Sequence, residues 1–218
     1  MMALGRKTGP KPRFHIEDVV NTALSLGLDT FTLSDVARTL KVSTPSLYRV
    51  VATREELVHL CLKKVAKELR IPPPTTPWQD QLRFYVDEIW EIAERYPGTV
   101  KAIVNTPGAH VHVQQFFRDF SASLSNAGFP GDAQLIDFAL DFLGDTTFMT
   151  HLQISTYRSA NATDGLQHVK ELLHKEAEQS GEATHFPFDE SWTQRGFLDQ
   201  KVEFIIKGME AKLLHPNA

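Results

Sequence analysis

The stretch that decides the fold is residues 31–57, FTLSDVARTLKVSTPSLYRVVATREEL. Thr32 can cap a short helix there, and Asp35, three residues on, completes a short form of the capping box. After a break at residues 41–43, Thr44 is a suitable N-cap for a second helix, because Pro45 would then occupy the first helical position, where its missing N–H costs nothing. Two short helices across a tight turn, the second exposing polar and aromatic groups, predict a DNA-reading helix-turn-helix.

Helices are also predicted on both sides of this stretch. The apolar positions before it fall on one helical face: Ile16, Val19, Val20, Ala23 and Leu24. Gly27 is a plausible stop for that helix. Thr53 and Glu56 form a full capping box for a further helix that continues to about Leu69. The consecutive prolines at 72–74 then mark a boundary, because they cannot continue a helix.

This organisation predicts a helix-turn-helix domain at 1–54, continued by a connecting helix at 54–70, and a rear domain at 75–218. Apolar residues at helical spacing predict rear helices at about 78–94, 99–105, 110–126, 132–153, 165–179 and 192–214. No alternating stretch is strong enough to indicate a sheet. The expected fold class is therefore all-α, with an N-terminal three-helix domain joined by a long helix to a C-terminal helical domain for ligand binding and dimerisation.

The charge distribution is uneven along the chain of 218 residues, whose net charge is −4. Residues 1–54 hold eight basic and four acidic side chains, whereas the remainder is acidic. A basic N-terminal segment followed by an acidic remainder suggests that the N-terminal segment binds a polyanion. The single cysteine, Cys61, excludes an internal disulfide and suits a reducing cytoplasm. Neither a signal peptide nor an apolar run of about 18 residues is recognisable, so a cytoplasmic protein without a membrane span is expected.

The helix-turn-helix stretch from Phe31 to Leu57 resembles the DNA-binding head of the tetracycline repressor (TetR) family. The rear of the chain is similar, more loosely, to the tetracycline-repressor branch in four stretches, at 78–80, 101–106, 126–129 and 202–213. The resemblance implies a homodimer with a four-helix interface and a ligand tunnel in each rear domain. It also implies a repressor that binds a palindromic operator and is released by a small organic effector.

The resemblance further implies which residues contact double-stranded DNA. The contact positions of the recognition helix correspond to Thr44, Pro45, Ser46, Tyr48 and Arg49. Thr32 and Arg54 would contact phosphates, and Ser34 occupies a base-reading position where the tetracycline repressor has arginine. Arg49 alone in the recognition helix can grip a guanine edge with two hydrogen bonds, although a phosphate contact or a solvated arginine stays open. Lys41 stands where the family's turn usually has glycine, so a left-handed backbone there would carry modest strain.

In the rear domain the resemblance implies seven residues around the ligand tunnel: Tyr85, Ile89, Trp90, Ile103, Asp145, Phe148 and Met149. Several are core-like on spacing alone, so ordinary core packing stays open for each. Ile103 falls on a position that helps to hold the metal–drug complex in the tetracycline repressor, and since isoleucine binds no metal, tetracycline is not the expected effector. Asp145 suggests a cationic effector, because a carboxylate in an apolar tunnel is costly without a partner. Solvent or Arg70 could satisfy it instead.

Other chemistry receives little support. His110 and His112, two apart on a helix, point to different faces and do not predict a metal site. Asp137, Asp141 and Asp145 are interpreted first as a solvated face, and the usual catalytic motifs are absent. We therefore expect no catalytic residue, no metal and no cofactor. Two alternatives stay open, namely an all-helical ligand-binding protein or enzyme that has lost DNA reading, and a purely architectural DNA binder.

Overall fold

The computed structural model describes residues 14–158, 162–182, 191 and 194–211. Within these ranges the regular structure is entirely helical, which confirms the predicted fold class. The elements are α1 (Ile16–Leu26), α2 (Leu33–Thr39), α3 (Thr44–Leu47), α4 (Arg54–Ala66), α5 (Trp78–Arg95), α6 (Thr99–Asn105), a 3-10 helix (Ala109–Val113), α7 (Gln114–Asn126), α8 (Ala133–Arg158), α9 (Ala162–Ser180) and α10 (Leu198–Glu210). None of these helices is long and apolar enough to cross a membrane, within the part of the chain described.

The chain forms two compact units. The first holds α1 to α4 and residues 96–109. Its core consists of apolar side chains that are nearly inaccessible to solvent: Val19, Ala23, Leu24, Leu28, Val36, Leu47, Leu57 and Cys61. Each fully buried Val or Leu stabilises the fold by about 1.5–3 kcal/mol relative to exposure. Cys61 packs as a small core residue, and burial raises the pKa of its thiol to about 12.

The predicted cap of α2 forms in full and that of α4 in part. The Thr32 hydroxyl accepts the Asp35 N–H (3.1 Å) while the Asp35 carboxylate accepts the Thr32 N–H (3.1 Å), which confirms the capping box. At α4 the Thr53 hydroxyl accepts the Glu56 N–H (3.0 Å). The Glu56 carboxylate, however, accepts the N–H of Ala52 (2.7 Å), one residue earlier than a capping box requires.

The cap of α3 lies one residue before the predicted position. Ser43, not Thr44, is the N-cap, and its hydroxyl accepts the N–H of Ser46. Pro45 is consequently the second helical residue rather than the first. Its missing N–H is still harmless, because the first four N–H groups of a helix have no partner inside the helix.

Residues 96–109, which the sequence analysis counted in the rear domain, belong to the first unit. The Leu28 N–H donates to the Pro97 carbonyl (2.9 Å). Gly98 has a positive φ of 82° and lies so close to Asp29 that a β-carbon would not fit. These contacts between distant parts of the sequence attach α6 to the connection between α1 and α2, which a local reading of the chain could not reveal.

The second unit holds residues 66–95 and 110–211 of the described chain. Helix α5 buries an apolar face against α7, α8 and α10, and Leu82, Leu143 and Leu198 are fully buried there. Aromatic rings fill part of this core: the ring centroids of Tyr85 and Phe120 are 5.6 Å apart.

Two rear helices differ in extent from their predictions. Helix α8 continues to Arg158, beyond the expected end at 153. Helix α10 begins at Leu198 rather than at 192, and the end predicted for it at 212–214 lies outside the described residues. The predicted helix at 110–126 also begins as a 3-10 segment before α7 starts.

Candidate nucleic-acid interface and ligand site

The turn between α2 and α3 is shaped by Lys41. Its φ is 56°, in the left-handed region that the family resemblance implied, and no other non-glycine residue in the described chain has a positive φ. Its N–H donates to the Arg38 carbonyl (3.1 Å), and the Val42 N–H donates to the Ala37 carbonyl (3.0 Å). These two hydrogen bonds form a Schellman motif, which ends α2 and redirects the chain into α3. This left-handed conformation costs a lysine about 1 kcal/mol more than it would cost a glycine.

The outer surface of α3 and of the turn after it is exposed. Pro45, Tyr48 and Arg49 are all accessible to solvent, whereas Leu47 is fully buried and anchors α3 to the core. The Arg49 guanidinium has no hydrogen bond or ion pair with the residues that the structure describes, so all of its donors can reach a ligand. Thr44 and the Ser46 side chain are half-buried at the start of the helix.

Two hydroxyls predicted to touch DNA are engaged within the protein. Thr32 donates its hydroxyl proton to the Asp35 carboxylate (2.6 Å), and the hydrogen bonds from Thr32 hold the pKa of Asp35 below its ordinary value. The Ser46 and Ser43 hydroxyls lie 2.8 Å apart. Both residues therefore shape the starts of their helices. Ser34, by contrast, is exposed.

Arg54 has a structural role that the sequence analysis missed. Its Nε donates to the Phe31 carbonyl (2.9 Å) and its Nη2 to the Leu28 carbonyl (2.8 Å). The guanidinium carbon also lies 4.7 Å from the centroid of the Phe31 ring. These contacts tie the start of α4 to the connection between α1 and α2, and they use two of the five N–H donors of the guanidinium.

The residues predicted to line the ligand tunnel separate into different environments. Tyr85, Ile89 and Trp90 lie on α5 and are buried, and Phe148 on α8 packs half-buried against the same core. The Tyr85 hydroxyl donates to the Leu140 carbonyl (3.2 Å), and burial raises its pKa, with Asp141 and Asp145 adding to the effect. Ile103 belongs to the first unit, where it is half-buried.

Asp145 and Met149 lie on the solvent side of α8. Asp145 is exposed and Met149 is 55% exposed in the single chain. The Asp145 carboxylate is therefore not in the apolar surroundings that the cationic-effector hypothesis assumed, because it lies on the side of α8 that faces solvent in the single chain. Arg70, the alternative partner, instead pairs with Glu88 (2.6 Å). The other members of the aspartate row, Asp137 and Asp141, are exposed as well.

A groove of about 550 Å³ opens in the first unit, beside α4 and α6. Its lining mixes apolar, polar and charged side chains: Leu28, Asp29, Arg54, Glu55, Val58, Lys101, Ala102, Asn105, Thr106 and Pro107. None of the seven residues predicted for the ligand tunnel lines it. Within the described chain, no three His, Cys, Asp or Glu side chains lie together as metal ligands.

A polar cluster around Trp90 was not anticipated from the sequence. The His151 ring centroid lies 5.0 Å from that of Trp90, and the guanidinium carbons of Arg195 and Arg158 lie 5.3 and 5.9 Å from it. His151 Nε2 pairs with Glu94 (3.0 Å). These residues come from α5, α8 and the segment before α10, so no sequence spacing could bring them together.

Apolar side chains are exposed on α8 and α10. Phe138 and Phe142 on α8 are 43% and 46% exposed, with ring centroids 5.7 Å apart. Phe204 on α10 is 78% exposed. Phe138, Phe142, Asp145 and Met149 follow one another at helical spacing, so they form one face, which we call the α8 stripe. Exposed apolar faces of this kind mark interaction surfaces.

No model of a known protein family matches the chain. The chain is 23% identical over 217 residues to an HTH-type transcriptional regulator of Saccharopolyspora erythraea, a match that covers 94% of this chain and 89% of that protein. This similarity extends over both units.

Three solved structures illustrate the likeness of fold. The Streptomyces coelicolor TetR-family protein ActR, in complex with actinorhodin, gives a TM-score of 0.68 at 20% identity, over 91% of this chain and 96% of ActR. TetR from Acinetobacter baumannii gives 0.60 at 18% identity, over 93% and 100%. BioQ bound to its double-stranded DNA operator gives a TM-score of 0.61 at 14% identity, over 91% of this chain and 99% of BioQ. The structure of Mycobacterium smegmatis BioQ gives the same TM-score and identity. The fold implied by the sequence resemblance is thereby confirmed.

Proposed function

We propose that this chain is a TetR-family transcriptional repressor that binds a palindromic operator as a homodimer and is released by a small organic effector. The observation that carries the proposal is the surface of α3. A buried Leu47 and the Lys41 turn fix the helix, while Pro45, Tyr48 and Arg49 face solvent. A surface of this kind suits the major groove, which is wide enough to admit a helix.

In this proposal Arg49 reads a base, because its guanidinium can donate two parallel hydrogen bonds to a guanine edge. Tyr48, Pro45 and Thr44 contact the sugar–phosphate backbone or a thymine methyl group beside it. Arg54 acts indirectly, by holding the connection between α1 and α2 against α4 through the Phe31 and Leu28 carbonyls.

The homodimer is supported by the exposed apolar faces of α8 and α10. Monomeric soluble proteins rarely leave a contiguous face with several phenylalanines open to water. Pairing the apolar residues of the α8 stripe and Phe204 with the same residues of a second copy would bury these side chains in a four-helix interface. A two-fold interface of this type presents the same patch on both subunits, and it would set two recognition helices against successive half-sites.

Effector control is supported by the aromatic interior of the rear unit around Tyr85, Ile89, Trp90 and Phe148. The ligand complex of ActR, a protein of the same fold, agrees with it. An effector that binds there and lowers operator affinity must itself be bound less tightly by the operator complex, by the same factor. A coupling of about 1–3 kcal/mol is typical of such switches. This function would be carried out in the cytoplasm.

The test is selection of DNA from a random duplex library with the full-length protein, followed by anisotropy titration of the winning sequence. The expected result is an inverted repeat with half-site centres about 34–36 Å apart or a little more. Its affinity should exceed that for scrambled DNA by at least about 10³-fold at the same salt concentration. Enrichment of no sequence, with equal binding to all duplexes, would support an architectural DNA binder, and no binding at all would support a ligand-binding protein.

A further inference from the structure

The cluster around Trp90 holds two buried polar atoms that have no partner among the described residues. His151 Nδ1 and Arg195 Nε are both shielded from solvent and make no hydrogen bond within residues 14–158, 162–182, 191 and 194–211. Leaving a buried polar group unpaired costs about 1–3 kcal/mol, so proteins keep very few of them. Two such atoms around one tryptophan therefore indicate a place where something else completes the hydrogen bonding.

The hydrogen-bonding role of each atom follows from its neighbours. Glu94 can only accept, so His151 must donate from Nε2 to its carboxylate (3.0 Å). Burial lowers the pKa of His151, which keeps the ring neutral near pH 7 and leaves Nδ1 as an acceptor. Arg195 donates from Nη1 to Asp87 (2.7 Å) and pairs through Nη2 with Asp199 (2.9 Å), so Nε–H is a spare donor.

Each arginine of the cluster already has a carboxylate partner, and the three carboxylates outnumber the two arginines by one. Arg158 pairs with Glu94 at 2.6 and 2.8 Å, and Arg195 pairs with the two carboxylates named above. An anionic ligand would find no unpaired arginine in this environment, so its burial is costly. The surplus carboxylate at Arg195 needs no cationic ligand, because Asp87 and Asp199 are both exposed to solvent. A neutral ligand that offers one donor and one acceptor avoids that cost.

We propose that Trp90, His151 and Arg195 form the polar end of the effector site and bind an uncharged aromatic ligand through one hydroxyl group and one carbonyl oxygen. The hydroxyl donates to His151 Nδ1 and the carbonyl accepts from Arg195 Nε. The apolar body of the ligand lies against the buried side chains of Ile89 and Trp90. This inference rests on the proposed function, because it names the ligand class of the same rear-unit site, and it replaces the cationic effector that Asp145 suggested.

The probes are 6-acetyl-2-naphthol and its 7-acetyl isomer, which carry one hydroxyl and one ketone at two different spacings. Each is compared with its methyl ether, which lacks the O–H donor, and 6-ethyl-2-naphthol, which lacks the acceptor, provides a second comparison. Binding is measured by calorimetry on the full-length protein. At least one acetylnaphthol should bind about tenfold or more tighter than its ether and than the ethyl compound, as expected for one lost hydrogen bond to a buried group.

Two variants locate the effect. His151→Phe keeps a ring and removes the acceptor, so it should abolish the difference between naphthol and ether. Arg195→Lys keeps the charge beside Asp87 and removes the Nε donor, so it should abolish the difference between the acetyl and ethyl compounds. His168→Phe, at an exposed histidine on α9, is the matched control and should change neither difference. Thermal unfolding of each variant shows whether the fold is retained.

Operator affinity without probe, measured in parallel, separates this inference from the proposed function. A protein that binds its operator but takes up neither acetylnaphthol, or binds naphthol and ether equally, overturns the inference alone and assigns the two atoms to ordered water. A naphthol preference that survives both variants also overturns it. A protein that binds no DNA but still prefers the acetylnaphthol to its ether would instead contradict the proposed repressor function and support the ligand site.

Discussion

The first unit exposes a proline, a tyrosine and an arginine on a short helix and the turn after it, whereas the second exposes phenylalanines on two longer helices. The outward residues of α3 and its following turn are Pro45, Tyr48 and Arg49, and those of α8 and α10 include Phe138 and Phe204. Polar and cationic side chains suit a hydrated polyanion such as DNA, because cations neutralise its phosphates and ordered water can bridge the remaining polar contacts. Phenylalanine side chains suit an apolar protein surface, because the binding free energy that they contribute comes from their removal from water. The two units are therefore built to bind different kinds of surface.

The largest expected effect comes from the rear unit. Phe204→Asp should raise the dimer dissociation constant by roughly 10³–10⁴-fold, since both copies of the residue lose their burial and two charges are placed in an apolar interface. Sedimentation velocity over a concentration series measures it. Leu172→Asp, at a residue 52% exposed on α9, is the matched control and should leave the dimer intact. Equal dimer dissociation constants for the two variants would show that α10 does not form part of the dimer interface.

The next effect concerns the stability of the head rather than its binding. Arg54→Met keeps the aliphatic part of the side chain but loses the hydrogen bonds to Phe31 and Leu28, which should cost about 2–4 kcal/mol of unfolding free energy. Arg49→Met is the control, because a solvated arginine should change stability by less than about 0.5 kcal/mol. Urea unfolding monitored by circular dichroism distinguishes them. Unchanged stability of Arg54→Met would return Arg54 to the phosphate contact expected from the sequence.

Arg49 tests base reading in the head. Arg49→Ala should cost about 1–3 kcal/mol of operator affinity and relax the preference at one base pair of each half-site. Binding to scrambled DNA should fall much less, since a base contact contributes little there. Arg118→Ala, which removes an exposed arginine of α7, should change neither titration. An equal loss on operator and scrambled DNA would instead assign Arg49 to a phosphate.

The sequence predicted the head better than the rear, for a physical reason. Caps depend on residues three or four apart, so the capping box of Thr32 and Asp35 could be predicted from spacing, and the left-handed Lys41 followed from the glycine that the resembled family has at this turn. Errors there were of one residue, as at the Ser43 cap. The role of Arg54 was missed because its partners lie 23 and 26 residues away.

The rear site depends almost entirely on such distant contacts. His151 meets Glu94 across 57 residues, and Asp87 meets Arg195 across 108. A lone histidine on a helix gives no sign of that pairing in the sequence. The side of α8 on which Asp145 lies was equally hidden, because an aspartate at helical spacing fits a tunnel and a solvent face alike.

The smallest expected effect tests the most local prediction, the turn at Lys41. Lys41→Gly relieves about 1 kcal/mol of left-handed strain but adds disorder to the unfolded chain, so it should stabilise the protein by only about 0.5 kcal/mol. Lys41→Ala keeps the strain, which makes the glycine variant the more stable of the two. The order should reverse at Thr39, an exposed right-handed position at the end of α2, where glycine should be about 1 kcal/mol worse than alanine. Urea unfolding of the four variants measures both differences. An alanine variant more stable than the glycine variant at position 41 would mean that this turn is not left-handed in solution, and the orientation of α3 derived from it would have to be abandoned.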